Sequence, residues 1–441
     1  MLRSILCLSA ACLIPGIAAA EVLTLEQAIS IALENNRTLK SSALSIEKSR
    51  EQLAALRAKQ FPGINVYVLG AQQLRSFDFT LEQGVLGQYQ GTGPLPSQDV
   101  HLKTPLEPTG LVTARVVQPL TSLVRIRRNM DTLKTAVQLA EEETRGERQK
   151  TVRDIKRAYY GLQQVEASLR SVRETTVLYK EVAQLTSNYV IQEVALRGDL
   201  LQAQISLAKA QQLELSLVNQ RSAGKEQLNH LLGRDVLLEF DVQPVWEASD
   251  EAASLELARA NALRDRPEIR KSALREVQAA QDLKAKRAEY IPDVSAEFNN
   301  VSFLNWGRFM PTQSTSVGVS LSWEPFDWGR KKHEIREKQG TVNQARMAKA
   351  EAESSVLADV NDKYRQLQYN RAEVNVARLS QNMAVENLRV AKNKYAVEAV
   401  LVKDVLQAQV NLEHSNSDYQ QALTSFRNAR ADFERSLGED Q

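Results

Sequence analysis

The clearest pattern in the chain is an alternation of apolar and small polar residues from Thr315 to Trp323. The large apolar side chains are Val317, Val319, Leu321 and Trp323, and the residues between them are Ser316, Gly318, Ser320 and Ser322. Successive side chains of a strand point to opposite faces, so this period predicts a strand with one apolar and one polar face. Large apolar side chains ending in a tryptophan suit lipid and its interface, whereas small polar ones suit a wet interior.

Three further strands are predicted by the same criterion. Alternating or short apolar runs place them at 63–75, 110–118 and 293–303, and the strand described above is assigned to 315–323. The segment from Gln83 to Pro108 is rich in glycine and proline and is predicted to be a loop.

Long tracts with few prolines and helical periodicity separate the strands. Leu23 to Lys59 is predicted to be one helix, with a capping box of Thr24 and Gln27 at its start. Further helices are predicted at 126–190, 199–232, 328–395 and 403–437. A helix of some 60 residues would be roughly 90 Å long at about 1.5 Å per residue, more than a compact domain needs.

The chain contains an internal repeat. Residues 25–62 align with residues 255–292 without a gap, and Leu232-Gly233 aligns with Leu437-Gly438 at the far end of the repeat. The repeat predicts two halves, 21–235 and 254–441, joined by a linker at 236–253. Each half would contain a helix, a strand, a loop, a strand, a long helix, a turn and a helix.

Composition narrows the class of protein. The 441 residues contain 56 Lys plus Arg and 54 Asp plus Glu, a net charge of +2 that gives no basis for a nucleic-acid partner. Residues 1–20 combine Arg3, an apolar stretch and Ala18-Ala19-Ala20, the pattern of a secretory signal peptide. Cys7 and Cys12 lie inside this leader, so no disulfide and no Cys-ligated metal are expected in the mature chain. Lipidation of Cys12 is an open alternative.

No apolar run of about 18 residues follows Glu21, so no transmembrane helix is expected. An exported chain without a helical anchor is then either soluble or a β-barrel. Four strands cannot close a membrane barrel, and an open sheet edge cannot face hydrocarbon. If these strands span a membrane, several chains must share one barrel.

Motifs at the ends of the predicted elements resemble the TolC-type outer-membrane efflux family. These motifs are Gln118-Pro119-Leu120, Glu324-Pro325-Phe326-Asp327-Trp328-Gly329, Leu232-Gly233-Arg234-Asp235, and Tyr395 followed by Val402 to Gln409. The resemblance covers essentially the whole mature chain. It implies a mainly α-helical homotrimer with a small β part, in which each chain contributes four strands to a twelve-stranded outer-membrane barrel above a periplasmic α-barrel. It also implies a periplasmic adaptor protein and an inner-membrane pump, of the RND or ABC type, as partners.

The resemblance also implies candidate gate residues. Asp404 matches an aspartate at the narrow tunnel entrance, and Gln407 occupies the position of a second aspartate. Asp199 and Tyr395 match residues that link the tip helices in the closed state. From the residues alone, Asp404 and Asp199 are also explained as acids at helix starts, which the helix dipole favours.

The turns between the long helices lack the family's Val-Gly sequence. The positions proposed for docking a partner are Ile191, Gln192 and Glu193 in the first turn and Val397 and Glu398 in the second.

Charged residues near the strands leave two alternatives open. Basic clusters at 125–128 and 330–332 follow the strand-to-helix junctions, where they anchor lipid head groups or are simply solvated. Aligning Pro119 with Pro325 places Arg115 opposite Leu321, on the expected lipid face. Either the strand register differs, or Arg115 snorkels towards the interface.

Catalytic chemistry has little support in the sequence. The four histidines are scattered, and His333-Glu334 lacks the second His of a metalloprotease motif. Neither a Gly-rich phosphate loop nor a Gly-x-Ser-x-Gly motif occurs, so no catalytic residue, cofactor or metal is expected. The predicted function is a passive exit duct of a tripartite efflux or type I secretion system in the outer membrane. The alternative is a soluble periplasmic coiled-coil adaptor or scaffold, because long amphipathic helices dominate the chain.

Overall fold

The chain is mainly α-helical with a small β part, as predicted. The computed structural model describes residues 21–72, 74–76, 78–103, 106–244, 254–306, 311–397 and 399–439. The predicted signal peptide, including Cys12, therefore lies outside the described residues, as does Glu398. The chain forms two units, one of residues up to Ser45, Ala140–Ser272 and Lys349–Gln441, and one of Ile46–Leu139 and Ala273–Ala348.

The helices and strands follow the repeat. The described helices are α1 (Leu25–Asn35), α2 (Arg37–Ala58), α3 (Ser122–Ile191), α4 (Arg197–Leu232), α5 (Leu255–Asp265), α6 (Pro267–Arg287), α7 (Arg330–Ala396) and α8 (Val402–Ser436). The described strands are β1 (Glu21–Leu23), β2 (Gly63–Gln72), β3 (Asp78–Leu81), β4 (Gln88–Tyr89), β5 (Gly93–Pro94), β6 (Val100–Lys103), β7 (Pro108–Pro119), β8 (Phe240–Val242), β9 (Asp293–Leu304) and β10 (Gln313–Ser322). Within these ranges, no helix combines the length and the apolar content that a membrane span requires.

The four long strands form one antiparallel sheet in the second unit, in the order β10-β9-β7-β2. They lie where the alternation predicts them, with shifted ends. Strand β2 ends at Gln72 instead of 75, and β10 runs from Gln313 to Ser322 instead of 315–323. Strands β7 and β9 extend one or two residues beyond the predicted 110–118 and 293–303.

The prediction that Gln83 to Pro108 is a loop is wrong, because short paired strands occur there. Strand β3 pairs with β6, and β4 pairs with β5, within the insertion between β2 and β7. Gly84, Gly87, Gly91 and Gly93 have positive φ, which lets the chain turn back on itself several times over a short distance. The glycines that suggest a loop therefore connect short paired strands.

The predicted single helix from Leu23 to Lys59 is also wrong, because the chain breaks at Asn36. The Asn36 carboxamide oxygen accepts hydrogen bonds from the backbone N–H groups of Thr38 and Leu39, at 2.9 and 3.1 Å. Its Nδ2 donates to the Leu231 carbonyl on α4 at 2.7 Å. An asparagine side chain that caps the next helix competes with continuation of the previous one.

One buried hydrophobic cluster of the first unit lies around a short parallel pair of β1 and β8. The Tyr159 hydroxyl on α3 donates to the Leu23 carbonyl at 2.8 Å, and Tyr159 itself is almost fully buried. The buried side chains of this cluster are Leu23, Ala28, Ala32, Ile155, Tyr159, Leu162, Leu228, Leu232 and Phe240. Strand β8 lies inside the predicted linker 236–253, and neither three-residue strand carries enough alternation to be seen in the sequence.

The repeat has a physical counterpart in two glycines. Gly233 follows α4 with φ of 72°, and a Cβ on it would lie 2.3 Å from the Asn35 carbonyl oxygen. Gly438 follows α8 with φ of 82°, and its Cβ would lie 2.7 Å from the Asp265 carbonyl carbon. In each half, the end of the last helix therefore packs backbone to backbone against the break between the first two helices.

We expect Gly233→Ala to destabilise the first unit by more than about 1 kcal/mol, because it adds a clash and a disfavoured positive φ. Gly161→Ala is the matched control, since Gly161 lies within α3 with no atom within 4 Å of the new Cβ. That control should stabilise the helix by roughly 0.5–1 kcal/mol. Urea unfolding followed by helical circular dichroism measures both, and equal stabilities would contradict the close approach.

Candidate functional site

One face of the four-stranded sheet carries an apolar row. Ile64, Val116, Phe298 and Val317 are aligned across the four strands. Residues directly opposite each other in antiparallel pairs place their side chains on the same face. On the two outer strands the row is open to the surroundings, with Ile64 72% and Val317 80% exposed. An exposed apolar row across a whole sheet calls for an apolar environment.

The other face is polar and contains Arg115. Its row is Asn65, Arg115, Asn299 and Ser316. The guanidinium of Arg115 lies 2.7 Å from Oε1 of Glu297, which also accepts a hydrogen bond from the Ser320 hydroxyl at 2.7 Å. The charge is therefore paired within the polar face.

The strand register determines on which face of the sheet Arg115 lies. In the hydrogen-bonded register, Pro119 is aligned with Ser295 on β9, and Ser295 is aligned with Ser320 on β10. Pro119 is therefore in line with Ser320 and not with Pro325. Arg115 does not lie on the apolar face and has no need to snorkel. Val116 lies on the apolar face instead.

The junction between β10 and α7 is an exposed aromatic turn. Trp328 has a φ of 54° and is 89% exposed, and its ring meets Phe326 edge to face at 4.7 Å. The Asp327 carboxylate holds the turn by accepting from the backbone N–H groups of Gly329 and Lys331, each at 3.0 Å. A positive φ is costly for a bulky residue and persists where the surroundings enforce it.

Several cations of the two basic clusters have local acidic partners. Arg125 lies 3.1 Å from Asp293, and Arg330 lies 2.7 Å from Glu324. These ion pairs hold the two side chains beside the junctions.

The turn between α3 and α4 closes with a Schellman motif. The Val194 N–H donates to the Tyr189 carbonyl at 2.9 Å, and the Glu193 N–H donates to the Val190 carbonyl at 3.1 Å. Glu193 takes the left-handed position, with φ of 60°, that glycine usually fills. In the second turn the Ala399 N–H donates to the Lys394 carbonyl at 2.9 Å.

Asp199 and Asp404 occupy equivalent places after these turns. The Asp199 carboxylate accepts from the Leu196 N–H at 3.3 Å, and the Asp404 carboxylate accepts from the Leu401 N–H at 3.0 Å. Both acids thus have the helix-start role that the dipole favours. The gate role requires several chains and stays a prediction.

The remaining candidates also lie at these turns. Gln407 is exposed on α8 and donates to the Asn411 side chain at 3.1 Å. Tyr395 is half-buried. Burial raises its pKa, and the nearby Tyr189 raises it further. Among the proposed docking positions, Ile191 and Val397 are more than 70% exposed, and Gln192 and Glu193 are exposed too.

A buried carboxyl group between α3 and α8 was not anticipated from the sequence. Glu413 has a buried Oε1 without a hydrogen-bond partner, and it lies beside Tyr179, Thr175 and Gln409. Burial raises the pKa of Glu413, and burial and the neighbouring Glu413 raise the pKa of Tyr179. A glutamate among many on long helices gives no sequence signal that it faces inward.

No group of three or more potential metal ligands occurs among the residues that the structure describes. His101, one of the four histidines, is engaged with the Thr80 hydroxyl at 2.7 Å.

An open four-stranded sheet joined to duplicated pairs of long helices defines an outer-membrane-channel fold, and solved structures share it. A membrane protein from Pseudomonas aeruginosa is 21% identical, with a TM-score of 0.77 over 95% of this chain and 91% of that chain. The CmeC outer membrane channel of Campylobacter jejuni is 14% identical, with a TM-score of 0.76 over 94% and 85% of the two chains.

The chain belongs to the outer membrane efflux protein family, whose sequence profile matches residues 28–234 and 258–439. It is 24% identical over 278 residues to the toluene efflux pump outer membrane protein TtgC of Pseudomonas putida. The antibiotic efflux pump outer membrane protein ArpC of the same species matches equally well. These matches cover 62% of this chain, and the chain spans about half the length, 53%, of the curated relatives.

The half-buried Glu413, whose Oε1 is fully buried, predicts a pH dependence of stability. Because its folded pKa is raised above the ordinary value of 4.5, its contribution is fully present below that value and is lost as pH rises through the folded pKa. Glu413→Gln keeps the shape and removes the charge, so this loss should disappear. Thermal unfolding from acidic to neutral pH tests it, with the exposed Glu181→Gln as control. Parallel pH profiles for the parent and Glu413→Gln would contradict the prediction.

Proposed function

We propose that this protein is the outer-membrane exit duct of a tripartite export system and that it acts as a homotrimer. The observation that carries the proposal is the open sheet. Strands β2 and β10 are its edges, and every residue of both strands is exposed. Unpaired backbone groups on these edges cannot be satisfied in hydrocarbon by a single chain.

Strand direction explains how sister chains satisfy these edges. All three neighbouring pairs in the sheet are antiparallel, so β2 and β10 run in opposite directions. The β10 edge of one chain can therefore pair with the β2 edge of the next in the same antiparallel sense. Three copies give twelve strands, which lies within the range of membrane barrels, usually eight or more.

The two sheet faces fit this barrel. The apolar row through Val317 faces lipid, while the polar row through Arg115 and the Arg115–Glu297 pair face a watery lumen. Trp323, Phe326 and Trp328 lie at the helix end of the sheet, where aromatic side chains suit the membrane–water interface. The neighbouring cations suit lipid phosphates on the periplasmic side.

The long helices α3, α4, α7 and α8 extend this duct through the periplasm. Their turns, with exposed Ile191 and Val397, dock a periplasmic adaptor that links the duct to an inner-membrane pump of the RND or ABC type. Three copies of Asp404 around the axis form an acidic constriction that favours cations by Coulomb attraction, with Asp199, Gln407 and Tyr395 near it in the closed state. The duct is passive and performs no catalysis; the pump supplies the energy.

The relatives suggest the kind of cargo. TtgC and ArpC are named for toluene and antibiotic efflux pumps. This favours export of small organic molecules over secretion of polypeptides.

The barrel predicts opposite effects for two neighbouring residues of β10. Val317→Lys places a charge on the lipid face and should cost about 2–4 kcal/mol per chain near the bilayer midplane. Ser316→Lys places the same charge on the face of Arg115 and should be tolerated. Unboiled detergent extracts of outer membranes, run on gels, report the trimer. A parent protein found as a soluble monomer in the periplasm would support the adaptor alternative instead.

Docking through the turns predicts site-specific cross-linking. A photoreactive residue at Glu193 should capture an adaptor protein in intact cells, because this position is exposed beside the α3–α4 turn. The same residue at Glu181, exposed on α3 twelve positions earlier, is the matched control and should capture much less. Equal capture at both positions, or none at Glu193, would count against docking through these turns.

A further inference from the structure

The two connections at the far end of the sheet differ greatly. Strands β9 and β10 are joined by residues 305–312 only, whereas residues 73–107 separate β2 from β7. Both connections lie at the sheet end opposite the helices, because β2 follows α2 and β7 precedes α3. In the proposed duct this end faces the cell exterior.

The longer connection contains a two-sided ribbon formed by β3 and β6. Phe79 is aligned with Leu102, and Leu81 with Val100, so one face is entirely apolar. Asp78 is aligned with Lys103, and Thr80 with His101, so the other face is entirely polar. On the polar face the Thr80 hydroxyl and His101 Nδ1 are 2.7 Å apart, and Lys103 lies 3.8 Å from Asp78.

On the polar face the side chains pair with one another within a single chain, whereas the apolar face is not packed into a hydrophobic core. None of its four side chains belongs to a buried hydrophobic cluster of the described residues. Phe79 is 53% exposed, and Leu81, Val100 and Leu102 are only half-buried. An isolated two-stranded ribbon is marginally stable in water, so its apolar face needs a cover.

Hydrogen bonds donated by backbone N–H groups hold the segment beyond the ribbon. The Gln83 N–H donates to the Asp99 carboxylate at 2.8 Å, and the Leu86 N–H donates to the Leu95 carbonyl at 3.0 Å. Leu86 and Tyr89 are nevertheless more than half exposed. The chain thus holds a defined structure that presents apolar side chains outward.

We propose that the apolar faces of three such ribbons pack against one another and form a cap over the outer mouth of the duct. This inference rests on the proposed trimer. The ribbon follows the edge strand β2, the strand that would pair with β10 of the next chain, so each ribbon starts beside a subunit boundary. Sister ribbons can then cover one another's apolar faces, and their polar faces remain in water.

The cap is tested with single cysteines on the two faces of the ribbon. The sequence contains only Cys7 and Cys12, both within the first twenty residues, so the parent protein serves as the blank. Phe79→Cys should give covalent dimers with a short bismaleimide in intact cells. The matched Thr80→Cys, on the polar face of the same strand, should instead be labelled by a water-soluble maleimide without cross-linking.

An accessibility measurement accompanies the cross-linking. Phe79→Asp brings three charges together within the cap and should let a bulky water-soluble maleimide added outside the cell reach Ser316→Cys, which lies on the face of Arg115, whereas Thr80→Asp should leave that labelling unchanged. Both variants are compared at equal amounts of trimer on unboiled gels, so misfolding is separated from opening.

The outcomes separate this proposal from the proposed function. If the parent is a trimer but Phe79→Cys does not cross-link, or cross-links no better than Thr80→Cys, the cap alone is overturned. A bimane label on the Phe79→Cys variant that brominated lipids quench also overturns it, because the apolar face would then lie on the outer leaflet. A parent that is not a trimer overturns the cap and the duct together.

Discussion

The constraint on which this structure depends is that backbone hydrogen-bonding groups must be paired wherever water is absent. A four-stranded sheet leaves two edges, here β2 and β10, and a bilayer offers them no partner. Pairing between chains removes the edges without adding any residue to the protein. Pairing with sister chains is therefore a condition for placing this sheet in lipid, and in the proposed trimer the lumen follows from closing the barrel.

The same sheet shows how strand register determines which charges are acceptable. Arg115 looks misplaced when the two junction prolines are aligned, yet the hydrogen-bonded register puts it beside Glu297 and among small polar residues. A shift of one residue would place both charges on the face of Val317. Paired on the polar face, where Arg115 is half exposed, they stay near water and avoid most of the cost of desolvation.

Period and repeat in the sequence were enough to predict the long helices and the four long strands, because each extends over many residues. Features set by one or two side chains were missed. Asn36 ends a helix by capping the next one, Glu193 fills a left-handed position without being glycine, and Glu413 faces inward among many exposed acids. Val100-His101-Leu102-Lys103 alternates as a strand does, but this alternation is short and lies among glycines and prolines, which predict a loop.

The duplication shows where the two halves must agree and where they are free to differ. Gly233 and Gly438 are both required, because each packs its backbone against the break between two helices of its own half. At the far end of the sheet the two halves differ, because one has the long insertion with the β3–β6 ribbon while in the other only residues 305–312 connect β9 to β10. In a three-fold assembly, a surface that occurs once per chain occurs three times around one axis. An apolar face too small to be stable alone then has two identical partners, so an insertion in one half of the repeat is sufficient to build a closed cap.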